Sequence, residues 1–149
     1  MRAESHDPLQ DSAFAQLYAQ VQQFYARHLQ VLDSGSATAW AETFAEDGSL
    51  DLPGAAEPVR GRAAIVESMS RSAAAFAAAG ETRRHWHGML DVTERLDGSI
   101  GVRCYALVFR TVRDNPSTLH RVCVCEDVLV REDGVLKVRT RRVTRDDSH

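Results

Sequence analysis

No stretch of this chain approaches the roughly 20 consecutive apolar residues that a membrane-spanning helix needs, which sets aside a membrane-embedded function. Cysteine is sparse: Cys104, Cys123 and Cys125 are odd in number and lack a framework spacing. That excludes a disulfide-stapled scaffold and points to reduced thiols in a cytoplasm. No second Cys or His pair stands at zinc-ligand spacing, so the cysteines read as small buried hydrophobes and no metal site is expected. An excess of positive charge is missing too. With a formal net charge of -3 and a pI near 6.0, nothing global attracts nucleic acid or an anionic membrane. The basic run Lys137, Arg139, Arg141, Arg142 and Arg145, interleaved with Asp146 and Asp147, reads as a solvated strand face. A Gly-rich phosphate loop, a nucleophile elbow and a His-x-x-x-His ligand helix are all absent. The polar start Met1-Arg2-Ala3-Glu4-Ser5-His6-Asp7-Pro8 has no apolar signal region, and we expect it to be loose and the chain cytoplasmic.

What is present is an ordinary globular balance. The 149 residues, 44% hydrophobic, fit a single domain over 1–149 with an ordered core at about 12–145. Such a chain buries about two-thirds of its unfolded surface. Leu17, Val21, Phe24, Tyr25, His28 and Leu32 recur at helical spacing and predict an amphipathic helix over 11–32, with Tyr25 and His28 on its buried side. Asp33-Ser34-Gly35-Ser36 is a turn. Ser36 is a candidate N-cap for a short second helix carrying Ala37, Trp40, Ala41 and Phe44 on one face. Glu46-Asp47-Gly48 should end that helix before a short strand over 49–52. Ile65, Met69, Ala73 and Phe76 predict a third helix over 63–79, stopped by Gly80. Four β-branched-rich segments then follow over 84–96, 99–112, 118–131 and 135–144, separated by turn sequences. Helices first and an antiparallel meander second make an α+β fold, three helices packed on one face of a curved, mostly antiparallel sheet.

The stretch Arg83-Arg84-His85-Trp86-His87-Gly88-Met89 stands out within that meander. Strand alternation puts His85, His87 and Met89 on one face and Trp86, Gly88 and Leu90 on the other, unless a one-residue bulge exchanges the two sets beyond it. Two imidazoles in an apolar sheet cost desolvation free energy, which a fold tolerates when they are hydrogen-bonded or at work. Trp40, Phe44, Phe76 and Phe109 read as core or pocket wall. Trp86, on the opposite face with Leu90, is a natural anchor for a partner subunit, and a homodimer through the sheet is expected.

Phe24-Tyr25-Ala26-Arg27 leading to Leu32-Asp33-Ser34-Gly35, then Trp40-Ala41-Glu42-Thr43-Phe44-Ala45-Glu46-Asp47-Gly48, resembles the nuclear transport factor 2-like superfamily. Within it, the sequence is most similar to the SnoaL-like group, which includes scytalone dehydratase and small tailoring proteins of bacterial aromatic polyketide pathways. The resemblance implies a cone-shaped α+β barrel around an apolar pocket. It also implies a working pair, the helix-end Asp33 and the strand His85. The sequence departs from the dehydratase pattern at Tyr105, which stands near the place of a second strand His, at Leu32 in place of a tyrosine, and at Met89 in place of an asparagine.

Imidazole titrates near neutrality and can take and return a proton, which suits elimination, isomerisation or aldol cyclisation. Asp33 would fix the tautomer of His85 and stabilise its imidazolium, and Tyr25, Tyr105 or His87 would donate to a developing enolate oxygen. No cofactor is required. The expected site therefore has Asp33, His85 and Tyr105 as catalytic groups and Tyr25, His28, Trp40, Phe44, His87, Met89 and Phe109 around a small aromatic or polyketide-like substrate. Two other functions are implied by the same resemblance: a ligand-binding accessory protein without turnover, and a structural subunit similar to the small subunit of ring-hydroxylating dioxygenases.

Overall fold

A computed structural model describes residues 8–147; of the polar start read above over 1–8, Pro8 already opens the first helix and the rest lies outside the described residues. The elements, in chain order, are α1 (Pro8–Asp33), α2 (Ala37–Ala41), β1 (Phe44–Asp51), β2 (Val59–Arg60), α3 (Arg62–Ala78), β3 (Glu81–Glu94), β4 (Ile100–Val112), β5 (Thr118–Glu132) and β6 (Val135–Arg145). The three helices and the four-strand meander stand where the periodicity places them. Phe44 is a correction. It opens β1 instead of closing the second helix, because α2 ends at Ala41 and the strand begins five residues earlier than expected. The Glu46-Asp47-Gly48 break is a bulge inside that strand: pairing with β6 slips between Phe44 and Ser49. Gly48 permits it, since a Cβ there would come within 2.9 Å of the Ala45 carbonyl oxygen.

The sheet has six strands in the order β2-β1-β6-β5-β4-β3, all antiparallel neighbours except the parallel pair β1 and β6. It does not close into a barrel; β2 and β3 are its edges. Register slips in β3 after Gly88, in β5 at His120 and in β6 at Arg139 each insert one extra residue and bend the sheet toward the helices. In that concave side α1 packs on β3, and α3 packs on β1, β2 and β3. The core joins Leu17, Val21 and Tyr25 of α1 and Ile65 of α3 to the inward strand residues Val102, Leu129 and Val138.

The slip in β3 resolves the alternation of the His85 stretch. Gly88 pairs with Tyr105 and Asp91 with Arg103, so two residues, Met89 and Leu90, span one partner. Met89 takes the left-handed conformation (φ 56) and projects outward, 78% exposed. Beyond it the parity reverses: Leu90 and Val92 are buried although they share even numbers with the exposed Trp86. Met89 therefore does not share the face of His85 and His87, and Leu90 does not share that of Trp86. The outer face carries Trp86, Tyr105, Phe109, Leu119 and Val122 as exposed large side chains. No helix among the described residues is long and apolar enough to cross a membrane.

Candidate active site

Asp33 is the last residue of α1. The helix stops there because Gly35, at φ 81, turns the chain, while Ser34 Oγ donates to the Val31 carbonyl (2.6 Å). The side chain of Asp33 is thereby aimed at β3. One carboxylate oxygen accepts the His85 main-chain N–H (3.1 Å) and the other meets His85 Nδ1 at 2.6 Å. A carboxylate can only accept, so Nδ1 carries the proton and the lone pair of the neutral ring is on Nε2. Only 7% of the Asp33 side chain and 23% of the His85 side chain are exposed. A carboxylate at the negative end of a helix is electrostatically frustrated, and both charges favour a cation beside them.

The pair opens into a cavity of about 640 Å³ between the helices and the concave sheet. Trp40, Leu50, Leu52, Met69, Phe76 and Val108 form much of its apolar wall. His85, His87, Arg121, Cys123 and Arg141 face it from the sheet. His87 is one inward step along β3 from His85. Burial first, then the nearby Arg141 guanidinium, pull its pKa down to about 3, so it is neutral near pH 7. Its Nδ1 lies 3.6 Å from Cys104 Sγ.

Several expected site residues stand elsewhere. Tyr105 is half-exposed on the outer face, with Arg103 5.9 Å above its ring, because the inward positions of β4 are Cys104, Ala106 and Val108. Phe109 and Met89 are on that outer side as well. Tyr25 is buried beneath the cavity and donates to Asp127 (2.5 Å). His28 is fully buried behind the wall, stacked between Phe24 (5.2 Å) and Trp40 (5.3 Å). The Thr43 hydroxyl donates to the Trp40 carbonyl (2.5 Å), so it accepts from His28 Nδ1 (2.6 Å) and fixes that tautomer. Burial, then the Arg141 charge, holds the His28 pKa well below its usual value. Phe44 packs on Trp40 edge to face (4.8 Å) as core. Of the expected set, the structure brings Asp33, His85, His87 and Trp40 together around the cavity.

Two groupings were invisible to sequence spacing. Arg141, placed in a solvated basic run, is only 5% exposed. It gives Nε and Nη2 to the two oxygens of Asp127 (2.9 and 2.8 Å), its direct partner across the β5–β6 pair. Tyr25 and Cys125 also donate to that carboxylate, at 2.5 and 3.2 Å. Burial pushes the Asp127 pKa up, but the Arg141 charge and these hydrogen bonds outweigh it and hold the carboxyl below its usual value. The second grouping is His87, Cys104 and Cys125, whose ligand-type atoms lie within 4.8 Å of one another. A hydrogen bond with Cys104, then burial, holds the Cys125 thiol well above the usual range. The two thiols are buried and packed beside the His87 imidazole. The signal that could have found Asp127 is a carboxylate at an inward position between Cys125 and Leu129.

A SnoaL-like domain profile matches residues 14–142. Among solved structures, the chain is similar to ActVI-ORFA from Streptomyces coelicolor, with 34% identity over 89% of this chain and 98% of that one and a TM-score of 0.83. It is similar to Aln2 from a Streptomyces species, with 34% identity over 89% and 92% of the two chains and a TM-score of 0.82. A protein from Catenulispora acidiphila, solved in complex with S-DNPA, is 37% identical over 89% of this chain and 96% of that one, with a TM-score of 0.80. No curated protein sequence matches.

Proposed function

Because this chain belongs to the SnoaL-like domain family, we propose that it is a cofactor-free acid–base catalyst, a dehydratase or cyclase acting on an aromatic polyketide-like small molecule. The observation that carries this reading is the grip of Asp33 on His85. One carboxylate holds both the main-chain N–H (3.1 Å) and the ring Nδ1 (2.6 Å) of a histidine in the wall of a 640 Å³ cavity. Such a grip fixes tautomer and ring orientation together, as the third group of a catalytic triad does.

The steps follow from the proton inventory. His85 Nε2 takes a proton from the carbon next to a substrate carbonyl, leaving an enolate and an imidazolium charge-balanced by Asp33. In a dehydration, the same Nε2–H protonates the departing β-hydroxyl, a carbon–oxygen bond breaks, water leaves and the ring returns to its starting state. In a cyclisation, the enolate carbon attacks a second carbonyl and the Nε2 proton goes to the new alkoxide. His87, neutral near pH 7 and on the same wall, is suited to hydrogen-bond the oxygen where charge develops. Tyr18 donates to the Leu90 carbonyl (3.3 Å), Tyr25 is committed to Asp127 and Tyr105 is outside, so no tyrosine takes that part. We further propose that the outer face around Trp86, 67% exposed, meets a second copy of the chain; sedimentation of Trp86→Asp should then show monomer where the parent shows dimer.

The experiment is incubation of the purified protein with β-hydroxy ketone and aromatic polyketide intermediates, read by mass spectrometry, for the parent and for His85→Ala. Loss of one water, or a new isomer of unchanged mass, that disappears in the variant supports the reading. Ligand-dependent thermal stabilisation without any product from any compound would replace it with a binding role.

A further inference from the structure

The cavity holds a charge that no described residue answers. Arg141 is spent on Asp127 through two hydrogen bonds. Arg83 gives Nε to Glu81 (2.8 Å) and lies 4.1 Å over the Phe76 ring. Arg145 gives Nε and Nη2 to Asp147, both at 2.9 Å. Arg121, in the cavity wall, makes no side-chain hydrogen bond or ion pair with any described residue, and its Nε is buried without a partner. A guanidinium stays protonated in a protein, and a buried donor left unsatisfied costs its full desolvation. The charges that bear most on it are the like charges of Arg83 and Arg145. Such a side chain is poised for an anion.

Its position relative to His85 is set by register. His85 pairs with Val108, and Val108 pairs with Arg121, so the three form one inward row across β3, β4 and β5. Two strand spacings separate the outer members of such a row, roughly 10 Å between backbones. All three line the cavity. A molecule lying along this row has one end at the base and the other at the cation.

We propose that Arg121 anchors a carboxylate of the substrate, so that the molecules handled here are aromatic or polyketide-like monoacids whose carboxylate lies roughly one to two fused rings from the reacting carbon. One free guanidinium matches one negative charge, and its planar fork fits the two oxygens of a carboxylate. A phosphate monoester would bring a second charge into the cavity, whose other lining arginines, Arg83 and Arg141, are already paired with Glu81 and Asp127. The position of the reacting carbon rests on the acid–base reading of His85; the anion site itself does not.

The test is calorimetric binding of a series of naphthoic and naphthylacetic acids, each beside its neutral primary amide, to the full chain and to Arg121→Gln and Arg121→Lys. The parent should bind at least one acid about tenfold or more tighter than its amide. R121Q should bring that acid to the affinity of the amide while leaving the amide unchanged, and R121K should keep part of the preference. Melting temperatures of both variants check that they fold. No acid binding better than its amide, or a preference that survives in R121Q, overturns the proposal. The two readings fail separately. Acid preference without turnover of any compound would leave the anion site standing and take down the acid–base mechanism; turnover without acid preference would do the reverse.

Discussion

Asp127 and Asp33 both turn a carboxylate inward, and the two are held in opposite ways. Asp127 has every nearby donor it can hold: two from Arg141, one from Tyr25 and one from Cys125, with 3% of the residue exposed. Asp33 holds a single residue, His85, whose far nitrogen has no hydrogen bond among the described residues and stands at a cavity. A saturated buried ion pair has no proton to move and no partner to exchange, so its contribution is to stability and geometry. A carboxylate that holds one side of an imidazole leaves the other side free to work. Burial alone therefore does not mark a reactive acid; what the partner can still do marks it.

Removing one member of each cluster should separate these roles. Asp33→Asn or His85→Ala is expected to lower turnover by about 10²- to 10⁴-fold, as loss of a positioned general base does, with little change in melting temperature. Steady-state rates beside thermal unfolding check this. In the other cluster, Asp127→Ala should cost about 3–5 kcal/mol of stability, because it leaves a buried guanidinium uncompensated. Urea unfolding measures it. Replacing both partners, Asp127→Leu with Arg141→Met, should cost less than the single change, since no charge is then stranded.

Acid sharpens the contrast. His28 and His87 have pKa values held below their usual value by burial, so below about pH 6.5 the unfolded chain binds protons that the native chain refuses. Stability should fall as pH drops from about 6.5 toward about 3. Asp127, held below the usual carboxylate value, contributes fully above that value and loses its contribution as pH falls further through its folded pKa. His87→Asn should remove up to one proton from the slope, about 1.4 kcal/mol per pH unit, while His28 continues to contribute; chemical unfolding across roughly pH 4–6.5 reads it. The smallest effect belongs to Met89. Its left-handed backbone (φ 56) is a strained place for an L side chain and its own side chain is largely exposed. Met89→Gly should therefore leave stability unchanged or raise it by up to about 1 kcal/mol.

The Asp33–His85 contact was legible because strand alternation and family resemblance both pointed at His85, and a helix end at Asp33 faced the same way. Local signals reach that far. The inward face of β3 beyond Gly88 was not legible, since a one-residue bulge reverses parity and Met89 is not a residue that announces a left-handed turn. Tyr105 was misplaced because the family position of a histidine was taken for an inward one, whereas the register puts Cys104 and Ala106 inward. Arg141 and Asp127 are 14 residues apart in the chain and meet only when β5 and β6 pair. In one dimension the arginine looked like one more member of a basic run. Arg121 was missed for the same reason: what distinguishes it is the absence of a partner among the described residues, which only the folded chain reveals.

Proton abstraction can be observed without knowing the natural substrate. Aromatic ketone probes that fit the cavity, incubated with the protein in D₂O, exchange the hydrogen next to the carbonyl for deuterium if a base reaches it, and proton NMR follows the loss of signal. Exchange well above the buffer rate in the parent, lost in His85→Ala and strongly reduced in Asp33→Asn, is the predicted result. Exchange at the buffer rate in the parent, or equal exchange in parent and His85→Ala, would contradict His85 as the base.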